Sequence, residues 1–206
     1  QGLAHCGECH SPRNVAGAVT DPTDLSGGKI LGQPYAAPDI AGGTLHEGIA
    51  DWSVATIVDY LKTGAAKGKG SAFGPMEDAV EHSFSKLTDD DLKAIAAYLK
   101  TVPDMAPKQK TVVDTREKQG SKVYMDNCAA CHQSSGQGIA GVIPPLDGNG
   151  AVTTPAPDNV VTAVIGGLQG HGTYGHMPAF GAQFDDRQVA DLVNFVRTAW
   201  SNDAPA

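Results

Sequence analysis

The sequence predicts an all-α protein made of two similar domains in tandem. Apolar residues recur every three or four positions in its best-defined segments, which is the spacing of a helix face packed on a core. The motif at Cys6–His10 returns at Cys128–His132, and similar segments follow each copy in the same order. A chain of 206 residues has room for two small domains. We expect one domain at residues 1–102, a linker rich in proline and charge at 103–114, and a second domain at 115–206.

Each copy of the motif has two cysteines two residues apart and a histidine directly after the second one, which is the attachment signature of a c-type haem. On one helical turn the two thiols can reach the two vinyl groups of one porphyrin, and the adjacent imidazole can bind the iron as its proximal ligand. The two motifs use all four cysteines of the chain. The sequence therefore predicts two covalently bound haem c groups, held by Cys6, Cys9, His10, Cys128, Cys131 and His132.

Other interpretations of the paired cysteines explain less. A zinc ribbon places its cysteine pairs close together, whereas more than half the chain separates these two pairs, and it gives no reason for the histidines. A thioredoxin-like redox motif requires a βαβ context, which the sequence does not indicate. A disulfide between residues so close in the chain would be strained.

Composition narrows the class of protein and its compartment. The 23 acidic residues outnumber the 15 basic ones, which argues against nucleic acid as a partner. The 25 glycines and 13 prolines predict long irregular loops, as expected where the backbone wraps a flat cofactor. The sequence contains no apolar run long enough to span a bilayer. Covalent attachment of haem takes place outside the cytoplasm, so we expect a periplasmic protein whose leader has been removed or left out of this numbering.

In the first domain, the haem motif is followed by a loop over residues 15–50 that is rich in Gly, Pro and Asp. Within this loop, the carbonyl of Pro38 is a candidate acceptor for the Nδ1–H of the proximal histidine, and such a bond would fix the tautomer of the ring. Arg13 has two interpretations that the sequence leaves open. Its guanidinium can pair with a haem propionate, or it can be a solvated surface residue.

Two helices are predicted in the rest of the first domain. One runs from Trp52 to Lys62, with Asp51 as its N-cap and Gly64 as its stop. A flexible stretch rich in Gly and Lys follows. The other helix opens at Thr88, whose hydroxyl is a good N-cap. The core face of this second helix is expected to carry Leu92, Ile95, Ala96 and Leu99.

The second domain repeats this plan. A helix from about Thr115 to Asn127 leads into the second haem motif, and Pro144 in the next loop is the counterpart of Pro38. A short helix follows with Asp158 as its N-cap, and the last helix begins after Asp185. The core face of the last helix is expected to carry Val189, Leu192, Val193, Val196 and Trp200.

The ligand on the second face of each iron decides between electron transfer and catalysis. Met76 and Met177 occupy matching places, each beside a proline and upstream of the last helix of its domain, and this symmetry predicts that both bind iron. Of the other methionines, Met105 lies in the linker. Met125 lies on the helix before the second motif, and its side chain is expected to pack rather than to bind iron. The histidines that compete for the irons do not repeat in both halves, and they are His46, His82, His171 and His176.

Distinctive stretches accompany the motifs in both halves, including Cys6-Gly-Glu-Cys-His-Ser-Pro-Arg, Tyr35-Ala-Ala-Pro-Asp-Ile, Gly74-Pro-Met-Glu, Pro144-Pro-Leu and Met177-Pro-Ala-Phe. With them, the sequence resembles class I c-type cytochromes arranged in tandem. More closely, it is similar to the haem-bearing subunit of membrane-associated periplasmic dehydrogenases for alcohols, sugar acids or aldehydes. The resemblance covers nearly the whole chain.

The resemblance implies ligation of one iron by His10 and Met76 and of the other by His132 and Met177. It also implies electron flow from a partner dehydrogenase towards a quinone or a terminal oxidase, with no substrate transformed by the chain itself. Such subunits usually carry three haems and a membrane-associating segment, whereas this sequence has two motifs. Membrane association is therefore expected only through segments that this sequence lacks.

Two rival functions stay open at this point. The chain could be a free soluble dihaem cytochrome that donates electrons to an oxidase. It could also be a dihaem peroxidase, in which one iron must be open or must exchange its ligand. The methionine in both halves argues against a peroxidase, because a peroxidatic iron would not repeat the ligand set of an electron-transfer iron.

The helix before the second motif has no counterpart before the first one. Gly120 and Tyr124 on this helix are predicted to pack against the last helix at Phe195. Tyr98 takes the place of Phe195 in the first domain, but only five residues precede Cys6, which is little more than one helical turn. We therefore expect the face of Tyr98 to be uncovered and the natural polypeptide to extend upstream by at least one helix.

Overall fold

The computed structural model describes residues 4–42, 48–103 and 117–204. Within these ranges the chain is mainly helical, as the sequence predicts, and its strands form short antiparallel ribbons. One hydrophobic core lies in each half of the chain, and each half contains one haem motif. None of the described helices combines the length and the apolar character needed to cross a membrane. The predicted linker at 103–114 lies outside the described residues, apart from Pro103.

In the N-terminal half, short helices and two ribbons surround the first motif. β1 pairs with β2, and β3 pairs with β4. The predicted loop over residues 15–50 therefore contains a ribbon, and so does the flexible stretch predicted after the helix that ends at Lys62. The elements are α1 (Gly7–His10), β1 (Gly28–Lys29), β2 (Ala36–Ala37), α2 (Val54–Thr63), β3 (Ala65–Ala66), β4 (Gly70–Ser71), α3 (Pro75–His82), a 3-10 turn (Phe84–Lys86) and α4 (Asp89–Leu99).

The N-caps of α2 and α4 differ in how far the sequence determines them. Thr88 caps α4 as predicted, because its hydroxyl accepts from the Asp91 N–H at 3.2 Å while the Asp91 carboxylate accepts from the Thr88 N–H at 3.3 Å. The predicted cap of α2 is wrong. The hydroxyl of Ser53, not the carboxylate of Asp51, accepts the first-turn N–H bond at 3.0 Å. Asp51 pairs with Lys69 on the ribbon instead.

The N-terminal core lies between α2 and α4. Cys6 and Met76 are both partly buried against this core, so the haem motif and the candidate methionine ligand share one support. Helix α3, which carries Met76, was not predicted, although Pro75 at its first position and the acids that follow are ordinary signs of a helix start. The most deeply buried core residues include Leu25, Ile57, Leu61, Val80, Phe84, Leu92, Ala96 and Leu99.

The C-terminal half is built from α5 (Glu117–Asn127), α6 (Ala129–His132), α7 (Asp158–Gly166) and α8 (Asp186–Thr198). Asp185 caps α8 as predicted, and Gln188 completes a capping box. The predicted cap of α7 is wrong, because Asp158 is already the first helical residue and forms an ion pair with Lys29 at 3.0 Å. The predicted start of α5 at Thr115 lies outside the described residues.

Helices α5 and α8 cross at very close range, as predicted. A Cβ atom added to Gly120 would lie 2.1 Å from the carbonyl oxygen of Asp191, so only glycine permits this approach. The fully buried ring of Tyr124 has its centroid 5.4 Å from that of Phe195 and 5.2 Å from that of Trp200. These aromatic contacts close the C-terminal core around the crossing.

The corresponding face of α4 is uncovered. Tyr98 corresponds to Phe195 when α4 and α8 are aligned on their caps, Thr88 and Asp185. The side chain of Tyr98 is 55% exposed, which confirms the expectation for this face. The predicted upstream helix stays a prediction.

The last helices of the two halves hold equivalent cations over equivalent loops, which supports the internal repeat. Lys100 donates from Nζ to the carbonyls of Ile49 and Ala50 at 3.2 and 2.6 Å. Arg197 takes the same place on α8 and is only 1% exposed. Its Nη1 donates over 2.8–3.1 Å to the carbonyls of Val152, Thr154 and Ala156.

The two halves are also bonded to each other. Polar side chains of the C-terminal half bind backbone groups on both ribbons of the N-terminal half. This arrangement sets the first haem motif against the opposite half. The bonds include Asn159 to Ala36, Thr162 to Pro34, and Tyr174 to Ala66.

Candidate haem-binding sites

Both motifs form one helical turn, α1 and α6. In the first, the N–H of His10 donates to the carbonyl of Cys6 at 2.9 Å, and in the second, the N–H of His132 donates to the carbonyl of Cys128 at 2.9 Å. This bond spans four residues, as in any α-helix, and it brings both thiols of a motif onto the turn that carries the histidine. The two motifs therefore have the same backbone geometry.

A proline carbonyl lies against each motif histidine, as predicted. Nδ1 of His10 is 2.7 Å from the oxygen of Pro38, and Nδ1 of His132 is 3.1 Å from the oxygen of Pro144. Because a carbonyl can only accept, Nδ1 carries the proton and the lone pair of Nε2 is left for a metal. Burial lowers the pKa of both imidazoles, and the carbonyl contacts offset part of this effect. Both rings are therefore held in the neutral form that binds a metal.

A cavity of about 440 Å³ opens beside the first motif. Its wall contains Cys6, Cys9, His10 and Met76, so the four residues predicted to bind the first haem share one space. The volume lies within the range of roughly 300–1,000 Å³ that is usual for cofactor sites. Its apolar and aromatic lining fits a flat porphyrin, and it includes Ile30, Trp52, Ile57, Tyr60, Leu61 and Phe73.

The C-terminal half supplies another side of this cavity. Residues 147–151, Pro145 and Asn159 all line it. Pro145 directly follows Pro144, whose carbonyl binds the ring of His132. Pro145 in the wall of the first cavity and Pro144, the acceptor of the second motif histidine, are thus neighbours in the chain. The two motifs are therefore closely connected through the protein.

The second motif lies on the C-terminal core. His132 is buried, and Cys128 and Met177 are both partly buried against this core. An antiparallel bridge to Leu168 fixes the backbone of Met177, with N–H···O distances of 2.9 and 3.0 Å. Met76 lies instead in the first turn of α3. The two methionines thus occupy matching places in the sequence but different local structures.

The thiols of the motifs are unsuited to disulfide exchange. Burial raises the pKa of Cys6 and Cys9 and raises the pKa of Cys128 to about 11. A thiolate that attacks a disulfide requires the opposite shift, which argues against the redox interpretation. In the described part of the chain, no group of three or more His, Cys, Asp or Glu side chains is arranged to hold a metal ion.

Arg13 is not a solvated surface residue, since its side chain is partly buried, and its pairing with a haem propionate stays a prediction. Its side chain does not line the cavity, and its guanidinium donates to the carbonyl of Gly17 at 2.8 Å and to that of Glu8. Arg13 therefore fixes the loop that follows the motif. The expectation that Met125 packs inside is also wrong, because its side chain is 51% exposed and the adjacent Tyr124 fills the core.

The competing histidines have other surroundings. His176 is exposed, and the exposed His82 has Nδ1 3.1 Å from the carbonyl of Asp78 in its own helix. His171 contacts the opposite half, with Nε2 2.8 Å from the carbonyl of Thr63. His46 and Met105 lie outside the described residues.

Several residues of the first cavity were not singled out from the sequence. Trp52 and Tyr60 stack edge to face, with ring centroids 5.5 Å apart, and burial raises the pKa of the Tyr60 phenol. Their aromatic character was an available signal, with Tyr60 on α2 and Trp52 just before its N-cap. The contribution of Asn159 was not foreseeable, because a contact 123 residues away along the chain leaves no local pattern.

A helical turn that carries two thiols and a neutral histidine, beside an apolar cavity in a small helical domain, defines a c-type haem protein. The model of the Cytochrome c family matches residues 3–103 and 117–200. The chain therefore belongs to the cytochrome c family, and its cofactors are covalently bound haem c groups.

Individual relatives extend this result. The chain is 35% identical over 227 residues to the cytochrome c subunit of alcohol dehydrogenase (quinone) from Gluconacetobacter polyoxogenes, an alignment that covers 99% of this chain and 48% of that protein. It is 34% identical over 231 residues to the gluconate 2-dehydrogenase cytochrome c subunit of Pantoea cypripedii, covering 100% and 52%. A diheme cytochrome c-type protein of Cereibacter sphaeroides is 43% identical over 103 residues, covering 50% and 33%. The chain spans about half the length of the dehydrogenase subunits that it matches.

Proposed function

We propose that the chain is an electron-transfer protein that relays electrons from a periplasmic dehydrogenase to a quinone or a terminal oxidase. The observation that carries this proposal is the shared cavity of His10 and Met76 beside the first pair of thiols. Bound haem iron supplies one-electron redox chemistry, and a thioether ligand together with histidine favours a relatively high reduction potential.

The proposed roles follow the chemistry of each residue type. In each half, two cysteines attach the porphyrin, the neutral histidine binds iron through Nε2, and methionine closes the other axial position. An iron that the protein closes on both faces exchanges electrons without binding a substrate, which favours electron transfer over a peroxidase. The proposed sets are Cys6, Cys9, His10 and Met76 in one half, and Cys128, Cys131, His132 and Met177 in the other.

We assign one haem to each of two domains, at residues 1–102 and 115–206, with residues 103–114 as the linker. The separate hydrophobic cores support this division. The buried residues of the first core end at Val102, and those of the second begin at Tyr124.

The names of the relatives support a dehydrogenase as the electron donor. Two of the aligned proteins are the cytochrome c subunits of an alcohol dehydrogenase and a gluconate 2-dehydrogenase. Since covalent attachment of haem takes place outside the cytoplasm, we place this exchange in the periplasm. A quinone or a terminal oxidase is the proposed acceptor, because a haem with two protein ligands passes on single electrons.

The experiment is reduction of the dihaem protein by the catalytic subunits of a quinone alcohol dehydrogenase or of a gluconate 2-dehydrogenase, each with its substrate. We expect both haems to be reduced only when enzyme and substrate are present together, as followed by visible absorbance. Met76→Ala is the matched variant for peroxide turnover, since it opens one iron deliberately. Wild-type peroxide turnover as fast as that of this variant would favour a peroxidase. Efficient oxidation by a terminal oxidase without reduction by either dehydrogenase would favour a free soluble dihaem cytochrome.

A further inference from the structure

We propose that Asn159 is a positioning residue for the proximal histidine of the haem in the opposite half of the molecule. Asn159 lies in the first turn of α7, whereas His10 ends α1. Asn159 holds the peptide segment whose carbonyl binds the ring of His10. This inference rests on the proposed function, because it takes His10 as an iron ligand.

The amide of Asn159 is bound on both of its sides. Its Oδ1 accepts from the N–H of Ala36 at 2.9 Å, and its Nδ2 donates to the carbonyl of Ala36 at 2.8 Å and to that of Ala151 at 3.0 Å. The residue is 3% exposed. A backbone N–H can only donate and a carbonyl can only accept, so the three contacts allow one orientation of the amide. The side chain therefore pairs with Ala36 as a neighbouring strand would.

This pairing fixes one edge of the ribbon that leads to the proximal histidine. Ala36 lies opposite Lys29 and Ala37 lies opposite Gly28 in the ribbon, so one edge of β2 is held by β1. Asn159 binds the N–H and the carbonyl of Ala36 on the other edge of β2. Ala36 and Ala37 are both buried. The ribbon is thus held between its own half and α7.

Only Ala37 separates this clamp at Ala36 from Pro38, the acceptor of the proximal histidine. The carbonyl of Pro38 lies 2.7 Å from Nδ1 of His10. A shift of Ala36 is passed to Pro38 through Ala37, because the segment is extended and buried. The ring of His10 therefore takes its hydrogen-bond acceptor from a segment that Asn159 fixes.

Neighbouring contacts hold α7 itself against the same ribbon. Asp158 forms an ion pair with Lys29 at 3.0 Å, and the hydroxyl of Thr162 donates to the carbonyl of Pro34 at 2.9 Å. Neither contact reaches the backbone of Ala36. Thr162 therefore offers a control substitution on the same helix and at the same interface.

The second motif histidine has an acceptor that its own half fixes. The carbonyl of Pro144 follows a tight turn in which the N–H of Ile139 donates to the carbonyl of Ile143 at 2.9 Å, and the N–H of Leu146 donates to the carbonyl of Gly136 at 2.7 Å. Asn159 belongs to the same half but takes part in neither of these bonds. The haem in the C-terminal half is therefore an internal reference, and it should not respond to Asn159.

The physical effect of the clamp is on the electron density of the proximal ring. A hydrogen bond from Nδ1–H to a carbonyl makes the imidazole a stronger donor to iron, and a stronger donor stabilises the oxidised state. When the carbonyl of Pro38 is free to move, this bond weakens and the reduction potential of the N-terminal haem rises. The proton on Nδ1 of His10 also exchanges faster with solvent.

The experiment compares the dihaem wild type with Asn159→Ala and Thr162→Ala. Spectroelectrochemical titration gives both potentials, assigned with Met76→Ala, and proton NMR of the reduced protein follows the Nδ1–H of His10. We expect Asn159→Ala to raise the potential of the N-terminal haem alone and to speed exchange of the His10 proton. Thr162→Ala should leave both quantities unchanged. If Asn159→Ala does not fold, Asn159→Asp replaces it. The aspartate carboxylate still accepts from the N–H of Ala36 but cannot donate to the carbonyl of Ala36. For this variant only the exchange of the His10 proton is compared.

An unchanged His10 proton in the Asn159 variant overturns the inference. Equal shifts of both haems, or the same shift in Thr162→Ala, also overturn it, because they indicate a general loosening of the interface. A failure of the proposed function is recognised separately, from the wild type alone. It is shown by a wild-type spectrum in which His10 does not bind iron.

Discussion

The crossing of α5 and α8 makes Gly120 the position where one methyl group should cost most. A Cβ atom there would lie 2.1 Å from the backbone oxygen of Asp191 and 2.6 Å from Cβ of Phe195. Ordinary contacts between heavy atoms are about 3.5–4.0 Å. Because the nearest obstacle is backbone, no side-chain rotation relieves it, and Gly120→Ala must push the two helices apart by about 1 Å or more.

The size of the effect follows from two opposing terms. Overpacking of a tight core costs about 1–3 kcal/mol, and a clash with backbone belongs at the upper end of this range. Replacing glycine by alanine inside a helix stabilises the helix by about 1 kcal/mol. The net loss in the free energy of unfolding is therefore about 2 kcal/mol. With a denaturant slope of about 2 kcal/mol per molar urea, the midpoint should fall by about 1 M.

Urea unfolding of the dihaem protein measures this change. The chain has two tryptophans, so a Trp52→Phe background leaves the fluorescence of Trp200, which packs at the crossing, as a local probe. Gly166→Ala is the matched control, because a Cβ atom at this last residue of α7 meets no other atom within 4 Å. The control should be as stable as the parent or slightly more stable.

The reasoning is refuted if Gly120→Ala unfolds at the midpoint of its parent or above it while Gly166→Ala behaves as expected. Such a result would mean that α5 and α8 do not approach as closely as described. A loss of stability in both variants would instead show that alanine is unfavourable at these helix positions for reasons other than the crossing.

Two further predictions concern the iron ligands and the internal repeat. Met76→Ala and Met177→Ala should each open one iron, which then binds carbon monoxide and shifts to a lower potential in spectroelectrochemical titrations; unchanged spectra in both variants would contradict the ligand assignment. Arg197→Gln should lower the free energy of unfolding by about 3 kcal/mol in urea titrations, because buried carbonyls lose a charged donor. The exposed Arg187→Gln on the same helix should stay within about 0.5 kcal/mol of wild type, and equal losses in the two arginine variants would argue against the buried cation.

Features that depend on a few neighbouring residues could be predicted from the sequence. Thr88 and Asp185 cap their helices as expected, because each is followed three residues later by a partner that completes a capping box. The proline acceptors of the motif histidines were also predictable, because the two halves repeat the same order of segments. The fold class and the haem cofactors followed from that repeat.

The caps of α2 and α7 show where local patterns are ambiguous. Asp51 and Ser53 are both good N-cap residues, and the local pattern does not choose between them; Ser53 caps the helix while the carboxylate of Asp51 pairs with Lys69. Asp158 was assigned as a cap, but its carboxylate pairs with Lys29 in the opposite half. In both cases the carboxylate has a partner distant in the sequence, which a local pattern does not reveal.

Contacts between the halves could not be predicted at all. Asn159 and Tyr174 bind backbone groups 123 and 108 residues away, and neither belongs to a motif. Periodicity identifies the face of a helix that packs, but it does not identify the backbone segment that a side chain on that helix binds. The wall that the C-terminal half adds to the first cavity is therefore a result of the structure alone.

Mass spectrometry of the denatured protein, produced in a host that attaches haem to secreted proteins, tests the central claim most directly. Thioether bonds survive denaturation, so the intact mass should exceed the polypeptide mass by two haems. Proteolysis should place one haem on the peptide with Cys6 and Cys9 and the other on the peptide with Cys128 and Cys131. An intact mass with fewer than two haems, or both haems lost on denaturation, would contradict the claim.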